Sequence, residues 1–460
     1  MPPVLDRAAE RVDRSRLAAV AAISVPLATL SLPLVVFLPE FYANALGLDL
    51  ALVGTLFTAV RLLDIAFDPV LGGLMDRTTS RWGRYRPWLA AGTPLFMISV
   101  AMLFFARPGV GPVHLLIWLI GVYAAWSILA LAQLALGAEL SPAYGERSRV
   151  YGWIQAGTCL GVLLALGVPL LLQRGHSDPT ATMRIMGWLC IVGMPLSAVM
   201  AVRLLGSSTA AGHGGKGTWR EYFRLLRNGN VARLLWLDLM LGLASGMTSA
   251  VSIFFQTRAM MLPRPDVSLV LIAHMSAALL SAPVWTRIGQ KLGKHQAIML
   301  AVFLYIASQL ALLAVPPGSL LMVSLLSVVG GSTYAAFAMF PRAMMADIGD
   351  EELLQRGVDR TGLLYSLLMG TWKVGQAASV GLAFALLAAL DFRPQDTTTS
   401  PAAVTALYLI YVGGSVLLAS LSLIALRRYP LTARRHAEIR TALRERADAT
   451  RYDKEGPAHG

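Results

Sequence analysis

Arg61-Leu62-Leu63-Asp64-Ile65-Ala66-Phe67-Asp68-Pro69 lies inside a long apolar stretch of the chain. Asp64 and Asp68 are one helical turn apart, so both carboxylates fall on one helix face. Arg61 precedes Asp64 by three residues and shares that face. Ionisable groups at membrane depth are costly, and by default they mark an ion or substrate pathway. Two carboxylates this close cannot both stay ionised in a low-dielectric cavity without a cation or a proton. The stretch therefore points to coupled transport. The competing reading is a static clamp, in which Arg61 or another cation holds the pair permanently. Structural intramembrane acids are seldom paired, which favours coupling.

The rest of the chain supplies the membrane. Of 460 residues, 56% are hydrophobic and 14% charged, where a soluble protein carries about a quarter charged. Apolar runs of about 20 residues recur throughout. They give twelve spans, near 17–38, 50–75, 87–106, 113–138, 150–172, 184–205, 233–257, 266–289, 296–315, 319–346, 361–390 and 403–426. The first 16 residues lack a cleavable apolar region, so the run from about Leu17 reads as a retained helix. Net charge is +13. Counting residues within about one helical turn of a span end with the adjoining loop, 31 of the 39 Lys and Arg fall in the tails and even-to-odd loops and 6 in the odd-to-even loops, leaving Arg61 and Lys373 inside spans. That asymmetry predicts cytoplasmic N- and C-termini in an inner (plasma) membrane. It suits topology better than nucleic-acid binding, so no nucleic-acid partner is expected. Cys159 and Cys190 sit in apolar runs, with no disulfide framework or CxxC metal pattern. No GxxxxGK[ST], GxSxG or HExxH motif is present, so no enzyme, no direct ATP drive and no cofactor are expected.

The longest loop, 206–232, divides the spans six and six. The expected organisation is an N-tail (1–16), a first bundle (17–205), a linker (206–232), a second bundle (233–426) and a charged, partly helical, mobile C-tail (427–460). Within the linker, Trp219, Tyr222, Phe223 and Leu226 share one face with arginines opposite, an interfacial helix pattern. A weak repeat relates Gly72-Gly73-Leu74-Met75-Asp76-Arg77, continuing to Arg86, to Trp285-Thr286-Arg287-Ile288-Gly289-Gln290-Lys291-Leu292-Gly293-Lys294 at equivalent places in the two halves. Duplicated halves predict a site between them near the midplane.

The spacing Arg61-x-x-Asp64-x-x-x-Asp68-Pro69-x-x-Gly72, then Asp76-Arg77-Thr78 and Arg81-x-Gly83-Arg84-x-Arg86-Pro87-Trp88, resembles the glycoside–pentoside–hexuronide:cation symporters. These are the melibiose-permease branch of the major facilitator superfamily. Gly137-Ala138-Glu139-Leu140, Tyr144, Glu146-Arg147 and Arg149 resemble the family's loop between spans 4 and 5. Pro341, Asp347, Asp350, Arg360-Thr361-Gly362-Leu363 and Lys373 resemble its stretch from span 10 to span 11. The resemblance implies an all-α, twelve-helix major facilitator fold of two six-helix bundles with alternating access. It implies symport of a sugar-like solute (a sugar, glycoside or uronide) with Na⁺, Li⁺ or H⁺, of which H⁺ or Na⁺ is expected here. Asp64 and Asp68 match the cation-site aspartates, a Na⁺ site if Na⁺ is the ion. Arg61 matches a sugar-cavity arginine, and Lys373 the lysine beside the cation site.

There are departures. Phe67 stands where Na⁺-using members often place Asn, which favours H⁺. The galactoside-binding aspartates of spans 1 and 4 have no counterpart; Ala28, Thr29 and Ser31, and Val122-Tyr123-Ala124-Ala125-Trp126-Ser127, stand there. Candidate substrate contacts are Arg61, Tyr123, Trp126, Gln155, Thr248, His274, Tyr334, Trp372 and Gln376, with Ser249 and Asp238 behind them. Aromatic faces suit sugar rings, and amides and hydroxyls suit their hydroxyl groups; singly, most such residues serve helix packing. Lys373 is either a fixed partner for Asp64 or Asp68 or a charge that moves. Asp76, Arg77, Arg84, Glu139, Arg147, Arg149, Asp347 and Arg360 are expected to form a cytoplasmic gate of ion pairs. A monomer is expected, with the bilayer as its main partner. Two rivals stand beside the sugar reading: a lysophospholipid transporter of the same fold, and a non-transporting sensor.

Overall fold

The computed structural model describes residues 12–140, 144–172, 179–205, 224–390, 401–427 and 429–455. Every long element is a helix. Without water, backbone groups must be satisfied inside each segment, and the helix does that. Helix α1 runs over 14–45, as Arg14–Ala22 and Ser24–Leu32 followed by π turns Pro33–Phe37 and Phe41–Ala45. Then come α2 (Leu50–Arg77), α3 (Arg86–Phe104), α4 (Pro112–Leu140), α5 (Tyr144–Leu172) and α6 (Pro179–Leu204). The second half holds α7 (Gly229–Ala259), α8 (Arg264–Leu292), α9 (Lys294–Ala314), α10 (Leu320–Arg356), α11 (Thr361–Ala389) and α12 (Pro401–Leu426). Helix α13 (Ala433–Glu455) follows. Nine of these are long and apolar enough to cross a membrane, among the described residues. α1 completes the first half. α2 and α11 match the nine in length but carry Arg61, Asp64, Asp68 and Lys373.

Within the first half α1 packs on α5 and α6, and α3 on α4 and α6; within the second, α7 packs on α11 and α12, and α9 on α10 and α12. The main contacts between halves are α2 with α11 and α5 with α8; α5 also meets α10, and α4 meets α11. They exchange under the internal repeat, which places α2 and α8, α5 and α11, in matching positions. Small residues allow the close approaches. A Cβ on Gly157 or Gly161 of α5 would run into the carbonyls of Ala21 and Val25 on α1, the small-residue packing of membrane helices. The outer surface is apolar: Leu63, Leu196, Leu280 and Leu321 are 59%, 67%, 73% and 71% exposed. Such side chains belong against hydrocarbon.

Two expectations change. Falling hydropathy ends span 10 near 346, but α10 runs to Arg356. Asp347 and Asp350 are buried there against cations, and Gly357 (φ 70°) ends the helix in the left-handed conformation. The C-tail is docked at its start rather than mobile: His436 and Ile439 of α13 are each 1% exposed. The residues 206–223, with most of the interfacial-helix pattern, lie outside the described residues. Both described ends, Val12 and α13, sit at the same end of the bundle, called the tail face below.

Candidate functional site

Asp64 and Asp68 lie midway along α2, and both are buried, at 7% and 0% exposure. Pro69 has no N–H for the carbonyl four residues back, which loosens the turn that carries them. Across the interface, α11 delivers Lys373. Its Nζ donates to Asp64 Oδ2 at 2.7 Å and to Ser127 Oγ at 2.9 Å. Ser127 donates in turn to Asp64 Oδ1 at 2.7 Å. Asp64 is therefore satisfied on both oxygens. Asp68 is not. Its Oδ2 lies 2.8 Å from Lys373 Nζ. Yet neither Asp68 oxygen receives a well-directed hydrogen bond among the described residues. The Trp126 ring faces the ammonium at 5.3 Å, a cation–π contact. Trp126 Nε1 is fixed by the Leu27 carbonyl at 3.3 Å.

The remaining candidates divide. Thr248, His274, Tyr334 and Gln376 line one cavity of about 330 Å³ in the second half, with Ser245, Ser252, Gln256 and Tyr411. Gln376 is held by Gly242 O (3.1 Å) and Ser245 Oγ (3.0 Å). Trp372 stands between Tyr334, 6.4 Å away, and the Arg342 guanidinium, 5.8 Å from its ring. Arg61 and Tyr123 are half-buried on α2 and α4; no ion pair joins Arg61 to Asp64 among the described residues. Gln155 lies apart, bonded to Cys159 one turn away. Asp238 is 1% exposed and accepts from Thr371 at 3.3 Å.

At the tail face the halves interlock. Asp76 of α2 accepts from the N–H groups of Gly362 (2.7 Å) and Leu363 (2.8 Å) at the start of α11. It thus meets a helix N-terminus, where negative charge is favoured, rather than an arginine. Gly72 makes this approach possible, because a Cβ there would lie 2.5 Å from Gly362 O. Arg84 pairs with Asp359 at 2.7 Å. Arg147 of α5 bridges Asp347 (2.8 Å) and Asp350 (2.7 Å) on α10. Lys294 also binds Asp347, at 2.6 Å, and His436 meets Asp350 at 3.0 Å. Arg149 instead pairs with Glu146 at 3.0 Å on its own helix. Glu139 is half-buried and Arg360 is buried at the same face. Arg77 is exposed and stands outside the interlock, with no ion pair among the described residues.

Ser127, Lys294, Asp359 and His436 complete these clusters; in the sequence, Ser127 and Lys294 figure only within longer stretches, without a role at the site, and nothing marks Asp359 or His436. Serine in a membrane helix is ordinarily a packing residue. Loop-end charges look alike until the fold pairs them.

A family profile described as MFS/sugar transport protein matches residues 19–433. The chain belongs to that family. It is an all-α major facilitator transporter of the sugar/cation symporter type, and not an enzyme. It is 28% identical over 358 residues to an uncharacterized symporter, YnaJ, of Bacillus subtilis (strain 168), covering 74% of this chain and 75% of that protein. It is 23% identical to the glucuronide carrier protein homolog of Escherichia coli (strain K12), over 88% of this chain and 89% of that one. Among solved structures, the E. coli fucose:proton symporter FucP superposes with a TM-score of 0.67 over 91% of this chain and 100% of that one. At 13% identity this likeness shows the fold alone.

Proposed function

We propose that the chain takes up a sugar, glycoside or uronide by alternating access, coupled to a cation that binds at Asp64 and Asp68. One observation carries this reading: a fully buried carboxylate, Asp68, shares a single ammonium with Asp64 and lacks a well-directed hydrogen bond. Two carboxylates and one Lys leave the trio at one net negative charge. A proton or cation makes it neutral, and neutrality lowers the cost of moving it within the membrane. Lys373 already occupies the space between the carboxylates. Phe67 supplies no oxygen ligand and is 43% exposed. Both facts support H⁺ over Na⁺, since Na⁺ requires further oxygens.

The solute pocket extends from Trp126 and Trp372 into the hydroxyl-rich cavity of the second half. Its Ser, Thr, Tyr, Gln and His side chains suit a neutral, polyhydroxylated solute, which supports sugar over lysophospholipid. By the positive-inside rule the tail face is cytoplasmic, in an inner membrane. The interlock there corresponds to a closed inner gate.

The test is uptake into proteoliposomes under an imposed H⁺ or Na⁺ gradient, across labelled glycosides, uronides and lysolipids. A sugar-like solute should accumulate with the H⁺ gradient. Accumulation with Na⁺ alone would reassign the ion. Accumulation of lysolipids alone would reassign the cargo, and no gradient-driven uptake of any solute would leave the sensor reading standing.

A further inference from the structure

A second cavity, of about 910 Å³, lies away from the Asp64–Lys373 site, where α5 of the first half meets α8 of the second. Its rim is basic: Arg14 at the start of α1, Arg149 near the start of α5, and Arg287 near the end of α8. All three belong to the tail-face ends of their helices. Glu146 is the lone acid of the lining, and it is already committed, to Arg149 at 3.0 Å and to the Val12 N–H at 3.1 Å. Arg14 and Arg287 are exposed and join no ion pair among the described residues. The wall is apolar, formed by Trp153, Leu279, Leu280 and Pro283, with Trp153 and Leu280 38% and 73% exposed. The floor is the α5–α8 contact itself: a Cβ on Gly152 would lie 2.7 Å from Thr286 Oγ1.

We propose that this crevice binds an anionic phospholipid, with the phosphate between Arg14 and Arg287 and an acyl chain along Trp153 and Leu280. Charge complementarity selects the headgroup, as in basic pockets at the cytoplasmic side of other membrane helices. The apolar wall selects a lipid over a free anion, which would gain nothing from Leu279, Leu280 or Pro283 and would leave most of the cavity unfilled. Trp153 suits the headgroup level, where indoles concentrate. Because Arg14 and Arg287 come from different halves, the lipid bridges them. It therefore favours the conformation in which α5 and α8 touch and the tail face is closed. None of this depends on which solute is carried.

The test is native mass spectrometry of the full chain in detergent. It is titrated with phosphatidylglycerol, with phosphatidylcholine of the same chains, and with phosphatidylglycerol plus millimolar inorganic phosphate. Phosphatidylglycerol should bind more tightly, and R14Q/R287Q should weaken it about thirtyfold, at roughly one unit charge of surface attraction per arginine. R107Q, an exposed arginine at the opposite face, should change nothing. Equal binding of both lipids, or unchanged binding in R14Q/R287Q, overturns the proposal. Full displacement by inorganic phosphate makes the site a free-anion site and also overturns it. If the double variant does not fold, R287Q alone is read, with a smaller loss expected and no loss contradicting the assignment.

Discussion

The mid-membrane trio of Asp64, Asp68 and Lys373 and the tail-face cluster of Arg147, Lys294, Asp347 and Asp350 both bridge the two halves with buried charge. In the tail-face cluster two cations meet two carboxylates, and His436 and Arg440 close its rim. In the trio one cation meets two carboxylates, and Asp68 is left without well-directed donors. With Arg440 counted, cations outnumber carboxylates at the tail face, and Asp347 and Asp350 are each held by more than one of them, so that cluster is costly to open without a compensating change. The trio carries excess negative charge, which invites a mobile positive charge. On that difference we propose a latch for the tail-face cluster and a coupling site for the trio, although the residue types are nearly the same.

Four substitutions sharpen or break that contrast. The largest effect is expected for Lys373→Ala. It leaves two buried carboxylates without a counter-ion, at about 4 kcal/mol for a broken buried pair. The thermal transition in detergent should fall steeply and recover in part when Asp68→Asn is added. No recovery would mean that Lys373 acts through packing alone. Asp347→Asn comes next, at about 3 kcal/mol, because Arg147 and Lys294 lose a shared partner. Unlike the first, it should free the tail face and so raise labelling of a cysteine placed at Ser366, which is fully buried. Unchanged labelling would remove the latch assignment. Gly72→Ala should cost about 2 kcal/mol as an overpacked contact and raise the same labelling. Ser127→Ala should cost about 1 kcal/mol as one lost hydrogen bond, read as a small shift in the thermal transition. A shift as large as that of Lys373→Ala would show Ser127 to be a principal support of the trio.

Much of this was legible in the chain. Acids and a lysine inside apolar runs stand out, because water is the ordinary solvent for both; Asp64, Asp68 and Lys373 are visible for that reason. The twelve spans follow from hydropathy, and the family from the spacing around Arg61 and Asp68. The rest needed three dimensions. Hydropathy ends span 10 near 346, but paired carboxylates carry the helix ten residues further. Asp76 was expected in an ion pair, yet it caps α11, and no sequence rule reports which helix end a carboxylate will meet. The docking of His436 depends on a pocket assembled from α5 and α10. The cavity of the second half gathers hydroxyls from helices far apart in sequence, each unremarkable alone.

The most direct measurement compares two transport modes of Asp68→Asn in proteoliposomes. Solute exchange across the membrane needs the moving halves but no net cation movement. Gradient-driven accumulation needs coupling. The variant should keep exchange and lose accumulation, on the order of a hundredfold or more, as expected when the lost group carries the coupled charge. Accumulation equal to that of the unaltered chain would contradict the central claim and make Asp68 a structural carboxylate.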